Sequence, residues 1–236
     1  MAFEEAGCCV VRGPDLLWGG DVRAFHPPAG RFDGVIGGPP CQAFSRLRHI
    51  VAANGHRTAP NLIPEFERCV REAQPTWFLM ENVPDAPEPC VFGVYRQTSQ
   101  LIRDVWVGGQ TSRERRFTFG ARAAVAPFWI ETMALHRPDP EPAALANGGG
   151  RPVPLAIGGS GKVKRTAKAA LCNMGYATAG AFENHKRLQG LPEDFDLPPF
   201  TVSAKVRAVG NGVPLPMGRA VARAVMAAVS GRSDAA

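Results

Sequence analysis

The sequence has six cysteines, at 8, 9, 41, 69, 90 and 172, but no CxxC pair and no regular spacing among them. Neither a zinc site nor a disulfide framework is indicated, and no metal is expected. Long apolar runs are also missing. No stretch approaches the roughly 18 apolar residues of a membrane span. The opening MAFEEAGCCVV has no basic start followed by an apolar core, as a secretory leader would. The expectation is a soluble, cytoplasmic protein with reduced thiols and no membrane partner. Internal repeats are absent. With 45% hydrophobic and 20% charged residues, the composition is not that of a disordered chain. The 236 residues suit one globular domain with a small second lobe. Lys plus Arg exceed Asp plus Glu by 27 to 21, a net charge of +6. That excess is compatible with a nucleic-acid partner, although many basic proteins bind none.

What is present reads as alternating strands and helices. Residues 2–7 look like the end of a helix closed by Gly7. Cys8–Val11 could form a short strand, and residues 12–20 are turn-like. Asp33–Ile36 reads as a buried parallel strand opening into GGPPCQ. Leu62, Ile63, Phe66, Cys69, Val70 and Ala73 are spaced for a helix over 61–73, which Pro75 stops. Thr76–Met80 is a second buried strand, ending in Glu81-Asn82. Strand, helix, strand implies a parallel sheet with crossover helices, and ligands bind beyond the carboxyl ends of such strands. Both polar clusters, PPCQ and ENV, sit at those ends. Residues 91–120 show little pattern apart from a strand-like Arg116–Gly120. Prolines and glycines break up 121–180, and 217–229 reads as a C-terminal helix.

Five segments carry the chemistry. GGPPCQAFSR at 37–46 puts Cys41 on a loop shaped by glycine and proline, open to a substrate. A lone cysteine is more often a buried, inert packing residue. The whole ten-residue string argues otherwise. Met80-Glu81-Asn82-Val83 follows, then Ser112-Arg113-Glu114-Arg115-Arg116-Phe117, which taken alone could be a solvated charge run. Arg187–Phe195 reads RLQGLPEDF, and Gly210-Asn211-Gly212-Val213-Pro214 by itself is a turn.

These segments, in this order across residues 37–225, resemble the motifs of the DNA (cytosine-5)-methyltransferases. The resemblance implies an α/β, Rossmann-like methyltransferase sheet with a small target-recognition lobe. It implies a catalytic core over 1–120, a short recognition region over 121–182, and a segment over 183–236 returning to the core. It implies transfer of a methyl group from S-adenosylmethionine to carbon 5 of a flipped cytosine in double-stranded DNA, in a nucleoid-associated protein. Cys41 would be the nucleophile and Glu81 the group at ring nitrogen 3. Carbon 6 of cytosine is a poor electrophile, so a thiolate adds there only if the charge growing on the ring is neutralised. Arg113 would approach the cytosine and Arg115 brace the catalytic loop. Alternate residues on a strand share a face, so the two should point the same way. Gln42, Ser45 and Asn82 would contact the substrate. Asp21, Pro39, Asn211 and Val213 would contact the cofactor, Asp21 through the adenine amine. Lys162, Lys164, Arg165 and Lys168 could touch phosphate, or simply face water.

The sequence also departs from the family pattern. The family's glutamine position in the third motif falls on Thr111, with Gln110 one residue early. No Gly-rich DLFxGxGG segment precedes MAFEEAG, and the acid expected after the second strand is replaced by Arg12-Gly13, with Asp15 nearest. The fold is therefore expected to lack its first strand, leaving an apolar groove. Three readings stay open. The start lies upstream of Met1, or a complementing partner chain supplies the missing loop. The third is a catalytically inactive DNA-binding remnant. Methylation of RNA by a transfer-RNA relative is a further, weaker alternative.

Overall fold

In the computed structural model, residues 1–15, 19–44, 60–91, 93–122, 125–133, 140–141, 143–144 and 179–231 are described. Helix α1 (Ala2–Glu5) is closed by Gly7 at φ +90°, with Cys8 N–H donating to the Phe3 carbonyl at 2.9 Å. Strand β1 (Gly34–Gly37) leads to helix α2 (Ile63–Ala73), and strand β2 (Trp77–Asn82) returns parallel to β1. Strands β3 (Arg96–Arg103) and β4 (Glu114–Ala121) complete a four-stranded sheet in the order β1-β2-β4-β3. Helices α3 (Ala179–Leu188), α4 (Val202–Asn211) and α5 (Leu215–Ser230) follow. Contacts divide the chain into two units. One comprises Phe3–Ile102, Glu114–Glu131 and Ala220–Ala236; the other comprises Met1–Ala2, Arg103–Arg113 and Thr132–Arg219.

In the first unit, β2 is buried on both faces and its alternation sorts two sets of partners. Phe78 and Met80 pack with Ile63, Phe66 and Val70 of α2 and with Ala86 and Val91. Trp77 lies on the other side, stacked between Phe3 and Phe119, and Phe119 stacks in turn on Phe128. Helix α2 buries Ile63, Phe66, Cys69, Val70 and Ala73 along one stripe. It ends at Gln74, whose φ of 49° and ψ of 48° form a left-handed cap before Pro75. Gly37 lets β1 come close to α2: a Cβ there would stand 2.4 Å from the Phe66 ring.

The second unit packs α3 on α4 through Phe182, Val206 and Val209. Thr201 caps α4 by accepting from Ala204 N–H at 3.3 Å. A short turn, Asp104–Val107, begins at a fully buried aspartate. Asp104 Oδ2 accepts from Gln110 N–H, Thr111 N–H and the Thr111 hydroxyl at 3.1, 2.9 and 2.8 Å. Burial pushes the Asp104 carboxyl above its ordinary value despite those bonds.

Several expectations are corrected. Cys8–Val11 is not a strand; Val11 is exposed, and among the described residues no strand pairs with it. The sheet is mixed, because β4 runs antiparallel to β2, with Glu81 opposite Phe117. Among the described residues no helix crosses over between β2 and β4, and a parallel return needs such a crossover. Residues 91–120, which showed little pattern, hold β3 and the Asp104 turn. β4 begins at Glu114, so Arg113 lies before the strand and outside its alternation. GNGVP is not all turn, since Gly210 and Asn211 close α4. β1 sits at the edge of the sheet with Ile36 48% exposed, and no strand precedes it among the described residues. The basic residues between 162 and 168 lie outside the described residues, as does Ser45.

Candidate active site

Parallel pairing of β1 and β2 brings their carboxyl ends together, with Gly37 opposite Met80. From the end of β1 the chain passes through Gly38-Pro39-Pro40 into a single 3-10 turn, Cys41–Ala43. Phe44 N–H closes that turn on the Cys41 carbonyl at 2.9 Å. Proline fixes the backbone φ and removes a donor, so the two prolines stiffen the approach. Cys41 is a free, half-buried thiol. Gln42 lies in the same turn.

The end of β2 grips this loop in two ways. Asn82 is buried, and its Nδ2 donates to the Pro39 carbonyl at 3.2 Å. Its Oδ1 accepts from Val83 N–H at 2.9 Å, which fixes the amide orientation. Glu81 lies over Gly38, where an added Cβ would meet Glu81 Oε2 at 3.2 Å. Glu81 Oε1 accepts from Arg115 Nε at 2.7 Å, with the side chains 18% and 14% exposed. A charge-assisted bond in so enclosed a place is stronger than its surface counterpart. Arg115 Nη1 also donates to the Glu114 carbonyl at 2.8 Å. Arg116 donates to the Ala86 carbonyl at 2.8 Å and so braces the turn beyond Glu81-Asn82.

Asp21 caps the short turn Val22–Ala24, accepting from Arg23 N–H at 2.9 Å. The Arg23 guanidinium also donates to both oxygens, at 2.6 Å from Nη2 to Oδ2. These bonds hold the Asp21 carboxyl down at about 2. Arg68 of α2 pins the turn by donating to the Val22 carbonyl at 2.7 Å, while Glu65 and Glu72 bind the same guanidinium.

The structure thus brings Asp21, Pro39, Cys41, Glu81, Asn82 and Arg115 into one unit, with all but Asp21 grouped at the β1 and β2 ends. Arg113, Asn211 and Val213 belong to the other unit. There Arg113 is 3% exposed, and its guanidinium donates to the carbonyls of Ala144, Gly210 and Asn211. Thr111, at the family's glutamine position, is fully buried on Asp104, and Gln110 accepts instead from Arg187 at 3.0 Å. Asp104 and Gln189 were not singled out by sequence. Asp104 had one signal, the Gly108-Gly109 pair after DVWV: a Cβ on Gly109 would overlap the Asp104 carboxylate. Among the described residues no group of three His, Cys, Asp or Glu could hold a metal ion, and no helix is long and apolar enough to cross a membrane.

Residues 20–89 match the family model described as C-5 cytosine-specific DNA methylase. The type II methyltransferase M1.HphI of Haemophilus parahaemolyticus is 45% identical over 53 residues, 22% of this chain and 14% of that protein. M.SacI of Streptomyces achromogenes is 43% identical over 71 residues, 29% of this chain and 17% of that protein. The matched segments therefore span well under two thirds of these relatives. The S. pombe Dnmt2 methyltransferase structure is 14% identical, with a TM-score of 0.50 over 88% of this chain and 82% of that one, a likeness of fold. The stretch that is similar to the C-5 cytosine-specific DNA methylase model holds Asp21, the Pro39-Pro40-Cys41 loop and Glu81-Asn82.

Proposed function

We propose that this chain is a DNA (cytosine-5)-methyltransferase, acting on a cytosine flipped out of duplex DNA. One observation supports the reading above the others. A half-buried thiol and a carboxylate stand at neighbouring strand ends, tied together by the Asn82 bond to Pro39 and by Glu81 resting on Gly38. This is the pair that nucleophilic addition to a pyrimidine requires.

In this reading the Cys41 thiolate adds to carbon 6, forming a C–S bond. The electron pair released into the ring is stabilised by a proton shared between Glu81 and nitrogen 3. Arg115 steadies the carboxylate through that exchange. A bound sulfonium donor would supply the methyl group to carbon 5 and leave as a neutral thioether; the proton on carbon 5 passes to solvent, and elimination breaks the C–S bond, returns the proton at nitrogen 3 to Glu81 and frees Cys41. Gln42 and Ser45 are proposed substrate contacts, and Asn82 braces the backbone at Pro39.

The methyl donor proposed is S-adenosylmethionine, which when bound supplies an electrophilic methyl group. Asp21 is the proposed partner of its adenine amine: the carboxylate is 35% exposed, and the amine would share its oxygens with Arg23. Pro39 would line the same donor, its carbonyl already fixed by Asn82.

Cys41→Ser should abolish methyl transfer to duplex DNA while leaving DNA binding measurable. On a duplex carrying 5-fluorocytosine, carbon 5 holds fluorine in place of the proton that must leave. The parent chain should then be trapped as a covalent adduct visible by mass spectrometry, and Cys41→Ser should not. Methyl transfer by Cys41→Ser at the parent rate would overturn the mechanism. DNA binding with neither transfer nor adduct would favour an inactive DNA-binding relative.

A further inference from the structure

The last turn of a helix leaves its final carbonyls without intrahelical donors. At the end of α4 each of those carbonyls is accounted for. Gly212 N–H donates to the Ala208 and Val209 carbonyls, both at 3.1 Å. Gln189 Nε2 donates to the carbonyls of Val209 at 2.6 Å and Gly212 at 2.8 Å. Arg113 Nη1 donates to the Gly210 carbonyl at 3.0 Å, and Nη2 to the Asn211 carbonyl at 3.3 Å. The Arg113 Nη1 atom also reaches the Ala144 carbonyl at 2.8 Å. From the far side, Leu215 N–H donates to the Gln189 carbonyl at 2.8 Å.

We propose that Arg113 and Gln189 are positioning residues: together they clamp the C-terminal turn of α4 and so set the backbone of Gly210-Asn211-Gly212-Val213. A cation is favoured at a helix C-terminus, where the macrodipole is negative. The amide orientation of Gln189 is forced as well, because the flipped amide would set its oxygen against two carbonyls. Arg113 therefore serves the polypeptide backbone and not the flipped base, which separates its role from that of Arg115 on Glu81. Three of the sequence motifs, SRERR, RLQG and GNGVP, meet in this one clamp.

The consequence for methyl transfer rests on the proposed function and on the family resemblance, which implies that Asn211 and Val213 contact S-adenosylmethionine. Loss of the clamp should then raise KM for the methyl donor and leave kcat and DNA affinity close to the parent values.

Hydrogen exchange on the full chain tests the clamp without reference to activity. Arg113→Ala and the nearly isosteric Gln189→Met should each speed exchange of the Gly212, Val213 and Leu215 amides by roughly tenfold, the scale of one to two lost buried hydrogen bonds. Arg113→Lys, which restores a donor, should recover part of that protection. Arg115→Ala should leave those amides unchanged. Because Gln189→Met keeps the charge of the site intact, it preserves the test if Arg113→Ala fails to fold. Parent-like exchange at Gly212, Val213 and Leu215 in folded Arg113→Ala or Gln189→Met would overturn the clamp. So would an Arg113→Lys chain that lowers kcat at unchanged donor KM. Faster exchange in a chain that transfers no methyl group would leave the clamp standing and reject the function.

Discussion

Asp21 shows how much one neighbour can decide. Its carboxylate accepts from the Arg23 backbone and side chain within a single three-residue turn. The side-chain bonds are the larger cause and the backbone bond the second, and together they hold the group at about 2, against an ordinary 3.8. A depressed carboxyl stabilises the folded chain above pH 3.8, and that contribution is lost as pH falls through about 2. The carboxyl carbon of Asp21, followed by NMR, should titrate near 2 in the parent chain. In Arg23→Ala the midpoint should climb most of the way to 3.8. A midpoint that stays near 2 without Arg23 would mean that another donor holds the carboxylate. The same pairing bears on the proposed adenine contact, since an amine arriving at Asp21 shares the oxygens with Arg23 and does not meet a bare acid.

Among the elements, α2 ends in a conformation its own residue resists. Gln74 takes φ 49° and ψ 48° because its N–H closes on the Val70 carbonyl and Pro75 bars a further helical turn. A left-handed conformation costs an L residue roughly 1–2 kcal/mol, and the exposed Gln74 side chain has no burial to offset it. Gln74→Gly should raise stability by about 0.5–1 kcal/mol once the greater freedom of unfolded glycine is subtracted. Gln74→Ala should change it little. The urea midpoint checks both, and equal midpoints for Gly and Ala would dismiss the strain. The elements also show where sequence was legible. α2 was readable from its one-sided apolar stripe, β2 from a continuous apolar run, and β1 from a short apolar run opening into GGPPCQ. The Cys41 and Glu81 loops were readable because strand ends expose them. β3 was not, since Arg96–Arg103 buries only Ile102 fully and alternates weakly. Arg113 was misread for a different reason: it lies one residue before β4, so the alternation of a strand does not govern it. Gln189 was invisible as a clamp because its partners at 209 and 212 are distant in sequence.

At the scale of the whole chain, the proposed substrate is a polyanion, and the excess of 27 basic over 21 acidic residues is the only global feature that meets it. With a sequence pI near 9.3, the net charge stays positive through neutral pH. Binding of duplex DNA should therefore weaken linearly in log affinity against log salt, with a slope of about −0.9 per phosphate neutralised. Six phosphate contacts would correspond to a loss of roughly a thousandfold between about 50 and 200 mM salt. A thiol that acts only after the base has flipped contributes nothing to this term, so Cys41→Ser should give the parent slope. Arg113→Ala should also keep it, because that guanidinium is spent on three carbonyls. Fluorescence anisotropy of a labelled duplex across a salt series measures all three slopes. A shallower slope for Arg113→Ala would place that cation on the nucleic acid and remove it from the helix end. A flat line for the parent chain would mean that its charge is not what holds DNA.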